Sequence, residues 1–243
     1  MKSKKSEEAL KFAGITFRGT TRVHLRHSLS GLKLVFPVNA ELIILANKDA
    51  RFRDVLSRHF STFDGFWPYL IARLKTRKRI EKISGSEFVH DVFDYAAENR
   101  LKVFFLGSSQ EVNKSARGEV AARYGIEVEG YSPAFGQPLH GEETTNTILQ
   151  EIRHARPQIL MVALGAPKQE FWLDEHQREL EAAGVQFAMA VGGTLDMLAG
   201  VYRKAPRIVR STGLEGIWRV MLDPRRIKRF PNPIRFIRIV WHS

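Results

Sequence analysis

The 243-residue sequence contains no cysteine, which excludes disulfides, thiolate nucleophiles, iron–sulfur clusters and cysteine-ligated zinc. Long hydrophobic runs are also missing. The longest apolar stretches, Leu42 to Ala46 and Ile159 to Ala166, fall far short of the ~20 residues that cross a bilayer. Behind the basic start at Met1 to Lys5, the segment Ser6 to Phe17 lacks the continuous apolar core and small-residue cleavage site of a signal peptide, so a cytoplasmic location is expected. The eight histidines show neither H-x3-H nor H-E-x-x-H spacing, which leaves no zinc motif. No G-x-G-x-x-G follows a strand-like run and no Walker A sequence occurs, which disfavours nicotinamide and P-loop enzymes. There is no D-x-D sequence to hold a divalent ion under a nucleotide diphosphate, and no metal cofactor is expected.

What is present is an average globular composition, 44% hydrophobic and 26% charged, long enough to bury roughly 70% of the unfolded surface without a staple. The net charge of +12 is placed unevenly. From Arg203 to Ser243 there are 11 Lys and Arg against Glu215 and Asp223, whereas the other 202 residues carry only +3. A basic tail of this kind seeks phosphate on nucleic acid, an anionic membrane surface or a small molecule, or else forms a solvated face.

Residues 1–30 read as a polar N-terminal segment with little pattern and loose order, 31–200 as the catalytic body, and 201–243 as an appendage. Leu32 to Phe36 reads as a strand ending at Pro37. Asn39 to Asn47 and Asp49 to His59 read as helices, with Asp49 an N-cap. An apolar segment at Phe60 to Phe63 is closed by Asp64-Gly65, a helix follows over Phe66 to Leu74, and basic Lys75 to Lys82 leads to a helix capped by Ser86 that runs to Asn99. From Lys102 onward, strands at Lys102–Leu106, Ile126–Tyr131, Gln158–Leu164 and Val185–Val191 alternate with helices at Gln110–Tyr124, Glu142–Ala155 and Lys168–Ala183. That alternation implies βαβ units, hence a Rossmann-like α/β fold with a mainly parallel sheet and helices on both faces. After Gly200, Leu214, Ile217, Trp218, Met221 and Leu222 form one amphipathic helix. Ile234, Ile237, Val240 and Trp241 form a second apolar stripe, suited either to packing on the body or to lying in a headgroup layer.

Ligands of open parallel sheets bind beyond the carboxyl ends of the strands. Asp64 falls there. It reads either as an ordinary Asp-Gly turn or as a general base that takes a proton from an attacking hydroxyl. Gly107 and Ser108 can offer backbone N–H groups and a hydroxyl to a phosphate. The Gly193-Thr194 turn is a further substrate-binding candidate, with Thr194 expected to cap the following helix and Asp196 read as structural. If a diphosphate leaves, the tail arginines are the groups able to neutralise it in bidentate pairs.

The segments Ala163-Leu-Gly-Ala-Pro-Lys-Gln-Glu-Phe-Trp-Leu173, Val191-Gly-Gly-Thr-Leu-Asp-Met-Leu-Ala-Gly200, Arg203-Lys-Ala-Pro206, Gly213-Leu-Glu-Gly-Ile-Trp-Arg219 and Asp223-Pro-Arg-Arg226, with Val38-Asn-Ala40 and Asp64-Gly65 before them, resemble the signature motifs of the WecG/TagA/CpsF glycosyltransferase family. The resemblance covers about Val35 to Arg229. It implies inverting, metal-independent transfer from a UDP-sugar to a polyprenyl-diphosphate-linked saccharide, in cell-surface or exopolysaccharide assembly on the inner face of a bacterial plasma membrane. By motif match it implies Asp64 as base, Asn39 and Gln169 in the pocket, and Arg219, Arg226 and Arg229 closing over the diphosphate. Lys82 stands where many members have Arg, and Pro37 where many have Thr. Tyr131 to Phe135 resembles members of exopolysaccharide pathways. The donor stays open among N-acetylmannosamine, its uronic acid, glucose and others. The expected partners are the UDP-sugar, the lipid-linked acceptor and an anionic membrane surface, with a homo-oligomer left open and nucleic acid not expected. A non-catalytic membrane scaffold and a nucleic-acid-binding protein are the alternatives. The second needs aromatics interleaved with cations, and Trp218 and Trp241 instead lie on apolar stripes.

Overall fold

The computed structural model describes residues 9–22, 31–134, 136–137, 141–202, 209, 218 and 233–241. In chain order these form β1 (Leu10–Phe12), β2 (Ile15–Phe17), β3 (Lys33–Val38), α1 (Ala40–Ala46), α2 (Ala50–Arg58), β4 (Phe60–Phe63), α3 (Phe66–Thr76), α4 (Gly85–Asn99), β5 (Val103–Gly107), α5 (Gln110–Tyr124), β6 (Val128–Tyr131), α6 (Glu142–Ala155), β7 (Ile159–Ala163), α7 (Lys168–Glu175), α8 (Gln177–Ala182), β8 (Phe187–Ala190), α9 (Thr194–Leu198) and α10 (Pro233–Trp241). The alternation of strands and helices condenses as expected into a parallel six-stranded sheet of order β4-β3-β8-β7-β5-β6. The chain packs as two compact units, one of 1–27, 36–84 and 205–243, the other of 28–35 and 85–204.

In the second unit β5, β7 and β8 are apolar along almost their whole length and buried, as strands covered on both faces must be. Phe88, Val89 and Phe93 of α4, Ala116 and Val120 of α5, Ile148 and Ile152 of α6, and Trp172 and Leu173 of α7 complete this core. From β5 the chain crosses to β6 on one side and returns through α6 to β7 on the other. Ligands of open α/β sheets bind where the strand order reverses in this way, here at the carboxyl ends of β5 and β7.

In the first unit, β1 and β2 form an antiparallel hairpin in register Leu10↔Phe17. The loose order expected for residues 1–30 does not hold over this stretch. Leu10, Phe12, Ile15 and Phe17 are buried, and the Phe17 ring stacks on Phe63 at 4.0 Å with Phe12 edge-on to both. Backbone ties fasten the hairpin as well: Ser57 Oγ accepts from Thr16 N, and Asn47 Nδ2 donates to the Ala13 carbonyl. Two-residue alternation over only three residues per strand is too short to stand out from a polar surround.

Four smaller expectations also shift. Pro37 lies inside β3 rather than ending it, because the ladder to β8 runs only from Lys33 to Val35 and the missing N–H breaks no bond there. Helix α4 starts at Gly85, so Ser86 is a buried first-turn residue and not the cap. Gly193, not Thr194, caps α9, and it does so without a side-chain bond. The expected helix over Lys168–Ala183 is broken at His176, whose Nδ1 sits 2.7 Å from the Trp172 carbonyl and must therefore carry the proton, with its ring stacked on Trp172.

Candidate active site

Three candidate residues of the first unit come side by side through backbone bonds. Asn39 follows β3 directly and caps α1, its Oδ1 accepting from Leu42 N at 3.0 Å. The cap uses the amide oxygen, so the NH2 is what Asn39 presents to a ligand. Asp64 follows β4, and its N–H donates to the Val38 carbonyl at 3.1 Å, lashing its turn to the residue before Asn39. Gly65 takes φ 91°, a conformation that side chains with a Cβ rarely adopt, and so turns the chain sharply into α3. Lys82 pairs in parallel with Phe63, and Ile83 N donates to the Phe63 carbonyl at 2.8 Å. The segments carrying Asn39, Asp64 and Lys82 are thus laid next to one another, with all three side chains half-buried. A carboxylate, an amide and an ammonium in such an array can take a proton from a hydroxyl, orient it and balance negative charge.

The second unit supplies the remaining described candidates. Gly107 has φ 97°, and a Cβ there would lie 2.6 Å from the Ala163 carbonyl oxygen, so glycine is required for β5 and β7 to approach. Ser108, with φ 61°, is held in the left-handed region by its N–H to Ala163 O at 3.0 Å, a conformation costly enough to point to function. That bond also spends the N–H expected for phosphate. The N-terminus of α5 is partly satisfied from within: Ser109 Oγ accepts from Val112 N. The Glu111 carboxyl is held below its ordinary range by its own backbone N–H and by the Ser109 hydroxyl. The Ser108 hydroxyl makes no hydrogen bond among the described residues and remains available to a phosphate. Gly193 and Thr194 stand after β8, Thr194 N donating to Val191 O at 3.0 Å. The neighbouring Gly192 lies close enough that its Cβ would meet Gln169 Nε2 at 3.9 Å.

Gln169 is buried at the start of α7 and donates from Nε2 to Glu170 Oε1 at 2.8 Å. Burial pushes the Glu170 carboxyl up to about 7, against the opposing hydrogen bonds from Gln169 and its own backbone N–H. Among the described residues, Gln169 Oε1, Glu170 Oε2 and Trp172 Nε1 are buried with no hydrogen-bond partner. Polar atoms left this way are costly, and a ligand or water normally completes them. Because Gln169 Nε2 donates to Glu170 Oε1, the amide leaves Oε1 to be presented as an acceptor. Glu170 went unnoticed at the sequence level. The signal was its place three residues before the apolar Leu173, which puts the carboxyl on an inward-facing side of the helix.

Arg219, Arg226 and Arg229 lie outside the described residues, as does the expected helix over 214–222 apart from Trp218, which is helical and half-buried. Among the described residues, no three His, Asp or Glu gather as metal ligands would, and no helix is long and apolar enough to cross a membrane.

A parallel sheet whose strand order reverses between β5 and β7, with helices on its faces, defines a Rossmann-like α/β protein. The model of the family described as glycosyl transferase WecG/TagA/CpsF matches residues 9–243, and the chain belongs to that family. It is therefore of a glycosyltransferase family, which implies an activated-sugar donor and a saccharide acceptor. The match reaches beyond the motifs at both ends, taking in the β1–β2 hairpin and α10.

Proposed function

We propose that this protein is an inverting, metal-independent glycosyltransferase that moves a sugar from a UDP-sugar to a polyprenyl-diphosphate-linked saccharide, at the inner face of a bacterial membrane during cell-surface or exopolysaccharide assembly. Asp64 takes the proton from the acceptor hydroxyl as that oxygen attacks the anomeric carbon, and UDP departs from the opposite face. Asn39 donates to the acceptor or sugar through its NH2, and Gln169 accepts a substrate hydroxyl through Oε1. Ser108 and the Gly193-Thr194 turn border the donor. Lys82 supplies a single positive charge where a guanidinium would have supplied a fork. Arg219, Arg226 and Arg229 neutralise the departing diphosphate, worth most where water is excluded.

The observation that carries this reading is the lashing of the Asp64 turn to the end of β3 beside Asn39, which keeps a carboxylate at a strand mouth and gives it a neighbouring amide. UDP release from a panel of UDP-sugars, measured with a polyprenyl-diphosphate-sugar acceptor in EDTA, tests it. Turnover is expected in EDTA, with a loss of at least about a hundredfold in Asp64→Asn at unchanged thermal stability. Near-normal turnover of that variant would remove Asp64 from its role.

A further inference from the structure

Six large apolar side chains stand well exposed among the described residues, and five of them lie on two helices of the first unit: Trp67 and Leu74 on α3, and Ile234, Ile237 and Trp241 on α10, all between 50% and 80% exposed. Helix α3 is inverted relative to an ordinary surface helix. Its apolar stripe Trp67, Leu70, Ile71 and Leu74 follows the i, i+3, i+4, i+7 spacing that normally seeks a core, yet Trp67 and Leu74 are exposed and Leu70 and Ile71 only half-buried. The buried side instead holds the small residues Pro68 and Ala72. Helix α10 divides similarly. Phe236 and Val240 are buried while Ile234, Ile237 and Trp241 face outward, so the stripe read from the sequence splits between two sides.

The two helices are joined. Lys75 Nζ donates to the Val240 carbonyl at 2.6 Å, tying the end of α3 to the end of α10. Charge of one sign frames both. Phe66 to Ile80 contains Arg73, Lys75, Arg77, Lys78 and Arg79 and no acid, and α10 carries Arg235 and Arg238 and no acid. Outward tryptophans and aliphatic residues framed by lysine and arginine match a layer with anionic headgroups above acyl chains. A protein partner with an acidic face would not need the exposed aliphatic stripe.

We propose that α3 and its basic flank Arg77–Arg79 form, together with α10, a docking surface for an anionic lipid bilayer, so that attachment does not rest on the C-terminal appendage alone. The consequence rests on the transferase reading above. Asp64 stands two residues before α3 and three before Trp67, so docking α3 brings the candidate base to the headgroup level, where a lipid-carried acceptor presents its sugar.

The test uses the full chain with vesicles of phosphatidylcholine alone or mixed with phosphatidylglycerol. Trp67→Ser/Leu74→Ser and Arg77→Gln/Lys78→Gln/Arg79→Gln are compared with wild type after circular dichroism confirms that each folds. Wild type is expected to bind the mixed vesicles and not the neutral ones. Each variant should lose about tenfold or more in partitioning, the charge variant also becoming less salt-sensitive. Binding of either variant within about twofold of wild type, equal wild-type binding to neutral vesicles, or light scattering showing that the apolar variant merely loses a dimer, overturns the proposal. Turnover separates it from the catalytic reading. The apolar variant should keep its rate on a water-soluble short-chain acceptor and lose it on vesicle-embedded acceptor. A wild type inactive on both acceptors would defeat the transferase reading, and vesicle binding would still decide the docking surface.

Discussion

Glu170 has a carboxyl that burial pushes up to about 7, and this has a consequence for stability. In the unfolded chain it titrates near its ordinary 4.5, so between those values the folded state holds a proton that the unfolded state has released. The stabilisation from the retained neutral form is complete below about pH 4.5 and is lost as pH rises through about 7, on the order of 3 kcal/mol in all. Glu170→Gln keeps an acceptor for Gln169 Nε2 and removes the ionisation. Urea denaturation from about pH 5 to pH 8 is therefore expected to show wild type weakening relative to the variant by an amount of that order. Parallel curves would show that the carboxyl does not titrate there. At this scale the sequence made Asp64, Asn39 and Gln169 visible through motifs, because side-chain chemistry is written in the letters. It left Glu170 hidden, because a protonation state depends on what surrounds the group.

Secondary-structure elements were legible where their pattern was long. Helix α5 runs from Gln110 to Tyr124 and α6 from Glu142 to Ala155, matching the sequence expectation end to end, since three or four turns of spacing with a cap or a terminal left-handed residue leave little freedom. The β1–β2 hairpin escaped because each strand is three residues long, and its weight lies in contacts with α2 and β4 far along the chain. Phe17→Ala removes a buried ring stacked on Phe63 and is expected to cost about 3–5 kcal/mol, whereas Lys11→Ala on the exposed side should stay within about 0.5 kcal/mol. Thermal or urea unfolding of the two variants checks this. Equal small effects would mean that the hairpin is an ornament and not part of the core.

For the whole molecule, charge is the property that composition reveals first, and here +9 of the +12 sits in the last 41 residues. A chain ending at Gly200 would lose α10, the Lys75 tie to Val240 and the tail arginines together. It is expected to lose turnover and to bind vesicles more weakly, since α3 and its basic flank remain; full turnover by that truncated protein would remove the arginines from diphosphate neutralisation. The amino-acid sequence alone determined the parallel α/β class, the family motifs and the basic end, because periodicity, residue chemistry and charge are local or additive quantities. Only the tertiary structure decided that Asn39, Asp64 and Lys82 become neighbours, that α3 turns its apolar stripe outward, and that Gln169 spends its NH2 on Glu170. Strand order, burial and hydrogen-bond direction are relations between distant residues, settled when the chain chooses which apolar surfaces to cover.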